Sequence, residues 1–343
     1  MEISDRKLAI LKIIIDGYIT TGMPIGSRTV SKKPGFNFSS ATIRNEMADL
    51  EELGFLEQPY TSAGRIPSDK AYRLYVNKLM NTVKLTKEEK ESIKGYFAMR
   101  QNQIDDVVES AADIISDTTK HISMVLAPQL DNIIIRNIQL VRISETKALL
   151  LIISSTGLVR ESVISIPPDI DEGYLTMLSN MMTQNTYNMT LCEARNYIEN
   201  HLNEEIKLHI KFLRDAISCI EKRENEKSIV LSGAENIFKN FDFQDFDRAK
   251  SLMRVLETKD ILYDMLKKAT KMEFCISIGQ ENEADQLKDV SIVTATYKIG
   301  GKPLGSFGVI GPTRMDYAKV ISVLNHIGGS LNSILSSFIE EDK

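Results

Sequence analysis

Residues 39–64 read SSATIRNEMADLEELGFLEQPYTSAG, and their pattern decides the N-terminal fold. Ile43, Met47 and Leu50 recur at helical spacing, which predicts a helix running to about Leu53 with one apolar stripe. Ser39 or Ser40 caps its start and Gly54 supplies its stop. The opposite face carries Ala41, Asn45, Ala48 and Glu52, with Thr42 and Arg44 flanking. Residues 55–58 read as a short strand, 60–64 as a polar turn bearing a glycine, and 65–66 as the returning strand.

The flanks extend the pattern in both directions. Residues 4–21 read as a helix through Leu8, Leu11, Ile14 or Ile15, and Tyr18, with Ser4 as cap and Gly22 and Pro24 as its end. Ser27 then caps a short helix over 28–33, which Pro34-Gly35 stops. Ser68 caps a further helix over 69–80. Three helices followed by a β-hairpin are the layout of a winged helix-turn-helix, with the helix from residue 40 as the recognition helix.

The side chains in this frame suit double-stranded DNA. An α-helix fits the major groove and reads it with its N-terminal residues. Arg44 matches guanine and Asn45 matches adenine in bidentate geometry. Ser39, Ser40 and Thr42 suit phosphate oxygens, which the positive end of the helix also favours. Arg28, Lys32 and Lys33 on the second helix are expected on the DNA backbone, and Arg65, at the tip of the wing, in the minor groove or on phosphate. Asp49, Glu51 and Glu52 would be repelled by phosphates, so only the N-terminal half of the helix is expected to enter the groove.

Charge is distributed accordingly. Residues 1–80 hold 11 Lys and Arg against 9 Asp and Glu, a net of +2, which leaves −7 for the rest of a chain whose total is −5. No acid occurs between Asp16 and Glu46. A local basic surface on an acidic body fits a DNA reader attached to a regulatory portion.

The whole chain of 343 residues is long enough for two or three domains. No apolar run is long enough for a transmembrane helix, and Lys12 and Asp16 interrupt LAILKIIIDGYI. No membrane is expected as a partner, and the expected compartment is the cytoplasm. Cys192, Cys219 and Cys275 are far apart and form no CxxC pair, as buried free thiols would. His121, His201, His209 and His326 are scattered, so no metal is expected. No phosphate-loop, dinucleotide, zinc-protease or serine-hydrolase motif is present, and Gly300-Gly301-Lys302 reads as a turn between strands. Neither an enzyme nor a cofactor is expected.

Beyond residue 80 the chain changes character three times. A charged helical stretch over 82–99 reads as a connector. An amphipathic helix over 103–121, with Val107, Ala111, Ile114 and Ile115 inward, leads into an apolar strand over 122–127. IIIRNIQLVRI (133–143), ALLLIISS (148–155) and GLVRESVISIP (157–167) then form three β-rich runs. Three helices follow, and the last carries the stripe Ile206, Ile210, Leu213, Ile217 and Ile220, which is either core or a face for a symmetry mate. A mixed region resumes near 228, with a helix over 246–269, strands over 272–279, 290–299 and 305–310, and a final helix over 315–339.

The chain resembles the HrcA family of bacterial heat-inducible transcription repressors. The resemblance rests on PIGSRTV (24–30), SSATIRNEMADLEELGFLEQPYTSAGRIPSDKAYRLYV (39–76) and GVIGPTRMDY (308–317), and it extends over essentially the whole length. It implies an α+β multidomain fold: an N-terminal winged helix-turn-helix, a GAF-like α/β domain, and a small α+β dimerisation domain inserted into the latter. The boundaries follow the composition changes: 1–80 for the DNA-binding domain, 81–103 for a helical connector, 104–130 with 225–343 for the GAF-like domain, and 131–224 for the insertion. It further implies a homodimer on the inverted-repeat CIRCE operator, repression of groE- and dnaK-type chaperone operons, and the GroEL chaperonin as a partner. The alternative is a small-molecule-responsive winged-helix regulator with its ligand in the GAF-like domain.

Overall fold

The computed structural model describes residues 3–61, 63–81, 83–99, 104–127, 134–155, 159–191, 193, 194, 196, 197, 229–239, 246–270, 272–299 and 302–340. The expected helix carrying Ile206 to Ile220 lies outside these residues, as do Cys192, Cys219, His201, His209 and the turn at Gly300-Gly301. The chain is a mixed α/β protein.

Helix α1 (Asp5–Thr21) begins at Ser4, whose side chain accepts the Lys7 amide N–H, and ends at Gly22 in the left-handed region. Helix α2 (Ser27–Ser31) follows Gly26, so Ser27 is its first residue and not its cap. Lys32 and Lys33 therefore lie just past the helix instead of on it. Helix α3 (Ser40–Glu52) is followed by an antiparallel hairpin of β1 (Leu56–Glu57) and β2 (Ile66–Pro67). Ser68 caps α4 (Asp69–Leu74), which continues as a π-helical turn, Tyr75–Leu79. Ile10, Leu11, Ile14 and Ile15 of α1 pack with Val30 of α2 and with Ile43, Met47 and Leu50 of α3. Each such side chain contributes about 1.5–3 kcal/mol by leaving water. The hairpin itself is too short to stand alone.

Helix α5 (Lys87–Met99) buries Ile93 and Phe97, while Tyr96 reaches Asp117 on α6 (Ile104–Thr119) at 2.9 Å. The body is a five-stranded antiparallel sheet in the order β7-β3-β10-β9-β8, formed by β3 (Ile122–Leu126), β7 (Ile229–Ser232), β8 (Phe274–Ile278), β9 (Val290–Ile299) and β10 (Lys302–Pro312). Alternate residues sort to its two faces. Val125, Val293, Ala295, Tyr297, Phe307 and Val309 pack against α6 and the C-terminal helix (Tyr317–Glu340). Ile122, Met124, Leu126, Ile292 and Ile310 pack on the other side against residues 246–269.

That last segment departs from the single helix the sequence predicts. It breaks at Thr258 into Phe246–Glu257 and Lys259–Ala269. The Thr258 hydroxyl donates to the Arg254 carbonyl at 2.9 Å, a local bond that competes with continuation of the helix. The break lets Leu252, Val255 and Leu256 on one piece, and Leu262 and Leu266 on the other, all face the sheet.

Strands β4 (Ile135–Ser144), β5 (Lys147–Ser154) and β6 (Val159–Ser165) form a separate meander. Helix α7 (Glu172–Thr186) covers one of its faces, around a cluster of its own that includes Leu140, Leu150, Ile152, Ile164, Leu178 and Met182. In sequence this unit lies between β3 and β7, which pair directly with each other. Its other face presents Val141, Leu149 and Val163 in one cross-strand row. Val141 and Val163 are each 47% exposed.

Candidate nucleic-acid interface

Helix α3 is built to begin in the open. Ser39 is its cap, accepting the Thr42 amide N–H at 3.1 Å. Its hydroxyl also meets the Thr42 hydroxyl at 2.9 Å. Ser40 is half-buried and meets Ser31 of α2 at 3.1 Å, which ties the two helices together at the point where the chain turns. Each of these hydroxyls keeps acceptor capacity after its local bond. No acid stands in the first turn of α3. Ala41, Arg44 and Asn45 are exposed there, and Arg28, Lys32 and Lys33 are exposed beside it. The structure thus brings Arg28, Lys32, Lys33, Ser39, Ser40, Thr42, Arg44 and Asn45 to neighbouring elements.

The sequence misread Arg65. It is not at the tip of the hairpin but at the foot of its loop, next to β2. Its backbone pairs with Ile25, the N–H of each residue donating to the carbonyl of the other at 2.9 Å. Its side chain is only 18% exposed and binds Glu51 of α3 twice, through Nε at 2.8 Å and Nη2 at 2.7 Å. The tip lies within 58–63, where the Gln58 amide donates to the Thr61 carbonyl at 2.9 Å and Tyr60 is exposed. The glycine of the turn was misleading. Gly64 is needed because the chain passes so close to Ile25 that a Cβ would lie 2.5 Å from its backbone carbonyl.

Acids of α3 are paired with cations from other elements. Glu46 is buried, and its carboxylate is held by Arg6 and, at 3.4 Å, by Lys7. Lys7 also reaches Asp49 at 2.9 Å. Asp49 first, and then Glu46, holds the Lys7 ammonium above its ordinary value. A buried carboxylate without such partners would cost several kcal/mol. Arg6 further lies over the Phe38 ring, 5.5 Å from its centroid, and Phe38 meets Phe36 edge-on. The sequence reading missed Glu46, Arg6 and Lys7. A signal existed for Glu46, which stands three residues after Ile43 and four before Leu50, on the inward stripe. Nothing local marks Arg6 and Lys7, because their role depends on α1 crossing α3.

Among the described residues no cluster of His, Cys, Asp or Glu could hold a metal ion, and no helix is long and apolar enough to cross a membrane.

Comparison with known proteins places the chain in a family. The family model described as "HrcA protein C terminal domain" matches residues 105–321. The heat-inducible transcription repressor HrcA of Ruminiclostridium cellulolyticum is 38% identical over 346 residues, covering 99% of each chain. That of Brevibacillus brevis is 38% identical over 341 residues, covering 99% of this chain and 100% of its own. A solved structure titled "Crystal structure of a hypothetical protein at 2.2 A resolution" superposes with a TM-score of 0.66 at 20% identity, covering 98% of this chain and 100% of the other, and so shares its fold. The chain belongs to the HrcA family of heat-inducible transcription repressors.

Proposed function

We propose that the protein represses chaperone operons of the groE and dnaK type as a homodimer bound to an inverted-repeat operator of the CIRCE class, with GroEL as the partner that sustains its activity. Transcriptional repression of heat-shock genes comes with membership of the family. The observation that carries the finer reading is the start of α3. It is capped, free of acids and exposed, with Arg44 and Asn45 on its outer face, while its inward acid is neutralised by Arg6 and Lys7.

Residues 1–80 are read here as a winged helix-turn-helix with α3 in the major groove. Ser39, Ser40 and Thr42, with Arg28, Lys32 and Lys33, contact phosphates, and Arg44 and Asn45 contact bases. Arg65 takes a different part from the one its sequence position implied: it neutralises Glu51 beside the DNA. Residues 104–130 with 225–343 are read as the GAF-like domain and 131–224 as the inserted dimerisation domain, with 81–103 joining them to the reader. The cross-strand row of exposed Val141 and Val163 flanking half-buried Leu149 supports that reading, since a two-fold operator needs a self-complementary surface. The effector-binding alternative gains no support, because buried side chains pack both faces of the five-stranded sheet.

The decisive experiment is a gel shift with a chaperone promoter carrying the inverted repeat, with and without GroEL. The expected result is a shift abolished by scrambling either half-site and strengthened by GroEL. Equal retention of scrambled DNA would sink the operator reading.

A further inference from the structure

The DNA-reading unit is fastened to the body through contacts that nothing in DNA binding itself requires. Two stretches of residues 1–80 take part, and the connector that follows them adds a third. On α4, the Arg73 guanidinium donates to the Ile276 carbonyl at 2.6 Å and pairs with Glu281 through both Nε, at 2.8 Å, and Nη2. Ile276 lies on β8, the edge strand of the sheet, so Arg73 caps a carbonyl on the strand that closes the sheet. Glu281 is itself oriented by the Ile278 amide, which donates to it at 2.8 Å. One turn back on α4, the Asp69 carboxylate accepts the Gln280 amide N–H at 2.9 Å. Gly279, at φ +52, admits that carboxylate where any Cβ would collide with it.

The second stretch is the end of α1, where Arg314 packs on Gly22 and donates to the Ile19 carbonyl at 3.5 Å. In the third, Lys319 pairs with Glu89 and the Ser322 hydroxyl donates to the Val83 carbonyl. Tyr72 lies against Tyr317, with centroids 5.9 Å apart, and the apolar core of residues 10–75 runs without a break into that of the sheet. Apolar contact alone tolerates sliding. A planar fork held to a carbonyl and a carboxylate fixes angle as well as distance.

A dimeric reader needs that angle. Two half-sites lie on one face of the duplex only at one phase, and each added base pair turns the second half-site by about 35°. A reader hanging on a loose joint would follow that rotation, whereas a clamped one would not.

We propose that Arg73, supported by Asp69, is a positioning residue for operator recognition: it clamps the reading unit to the sheet edge, so that the dimer accepts a single half-site spacing. The inference rests on the dimeric operator reading above.

The test uses the full chain and a panel of CIRCE duplexes. In the panel the spacer is lengthened or shortened by one to five base pairs, and one duplex carries a single half-site. Wild type should lose about tenfold or more in affinity as the spacer departs from its natural length. Arg73→Ala should flatten that profile to less than about threefold while binding the single half-site as wild type does. Glu281→Gln keeps the volume of the side chain and should flatten the profile in the same direction, so it decides the matter if Arg73→Ala does not fold. A variant profile as steep as that of wild type overturns the clamp, and so does an equal loss on the single half-site. A wild type indifferent to spacing would overturn the dimeric reading instead, and the clamp with it.

Discussion

Gly64→Ala separates two accounts of the hairpin. As a glycine in an exposed turn, Gly64 could be replaced at little cost. Its φ lies outside the left-handed region, so Ala would even stabilise by about 0.4–1 kcal/mol through the unfolded chain. The structure demands the opposite. The added Cβ would sit 2.5 Å from both the carbonyl carbon and the oxygen of Ile25, and 2.9 Å from the Gly26 nitrogen. These are backbone atoms and cannot rotate away, so the hairpin must lift off residue 25. The lift breaks the two Ile25–Arg65 backbone bonds, each 2.9 Å long. At about 0.5–1.5 kcal/mol apiece they sum to about 1–3 kcal/mol, a factor of roughly 5 to 150 in the local opening equilibrium. Amide hydrogen exchange on the full chain reads this directly in peptides spanning residues 20–30 and 60–70. Protection there should fall by that factor and stay unchanged in β9 and β10. Unchanged or increased protection at residues 25 and 65 would refute the close-approach argument and restore the turn reading.

Other consequences can be checked with the same full-length protein. Arg44→Ala should weaken operator binding by about 1–3 kcal/mol and random-sequence binding far less; equal losses on both would end its base-reading role. Lys32→Ala should weaken both alike and reduce the slope of log affinity against log salt by about one, which a salt titration measures. If the proposed dimer forms through this face, Val163→Asp should leave a monomer on a sizing column with light scattering where wild type is a dimer, and a persisting dimer would move the two-fold axis elsewhere. Burial, the largest single influence, pushes the Glu281 carboxyl up, but the Arg73 fork and the Ile278 amide together outweigh it and hold the group below the ordinary carboxylate range. A depressed acid contributes stability that is present at neutral pH and lost as pH falls through its folded value. The melting difference between wild type and Glu281→Gln should therefore be full at pH 7 and shrink from about pH 5 downward.

The helices of the N-terminal unit were legible because each carries its own punctuation: Ser4, Ser39 and Ser68 as caps, Gly22 and Gly54 as stops, and apolar residues at helical spacing between them. Partnerships across the chain were not. Arg65 next to a glycine looked like a probe at the tip, and only the bridge to Ile25 and the pair with Glu51 show otherwise. Lys12 and Asp16 interrupt an apolar run, but Asp16 accepts the Tyr75 hydroxyl at 2.7 Å, a contact no local pattern predicts. The break at Thr258 was equally silent, since the apolar period runs on through it. The motifs 66–76 and 308–317 each stood out as sequence. That they meet, Tyr72 against Tyr317 and Arg314 against the end of α1, is a fact of the fold alone.

The treatment of charge on α3 constrains how it can approach DNA. Three of its acids are already paired: Glu46 with Arg6 and Lys7, Asp49 with Lys7, and Glu51 with Arg65. Asp49 is still largely exposed, however, and Glu52 is exposed at the C-terminal end. Phosphates near that end would meet negative charge only partly offset, while those near Ser39 meet a capped helix terminus with Lys32, Lys33 and Arg28 beside it. The proposed reading then predicts that the helix enters tip first and at a slant, with Asn45 near the limit of its reach. A parallel lie along the groove would bring Asp49 and Glu52 within a Debye length of both backbones, about 8 Å at physiological salt. Replacing Glu52 with Gln should therefore change specific affinity little, whereas Thr42→Glu, at the entering end, should abolish binding; a large gain from Glu52→Gln would mean the helix lies flat.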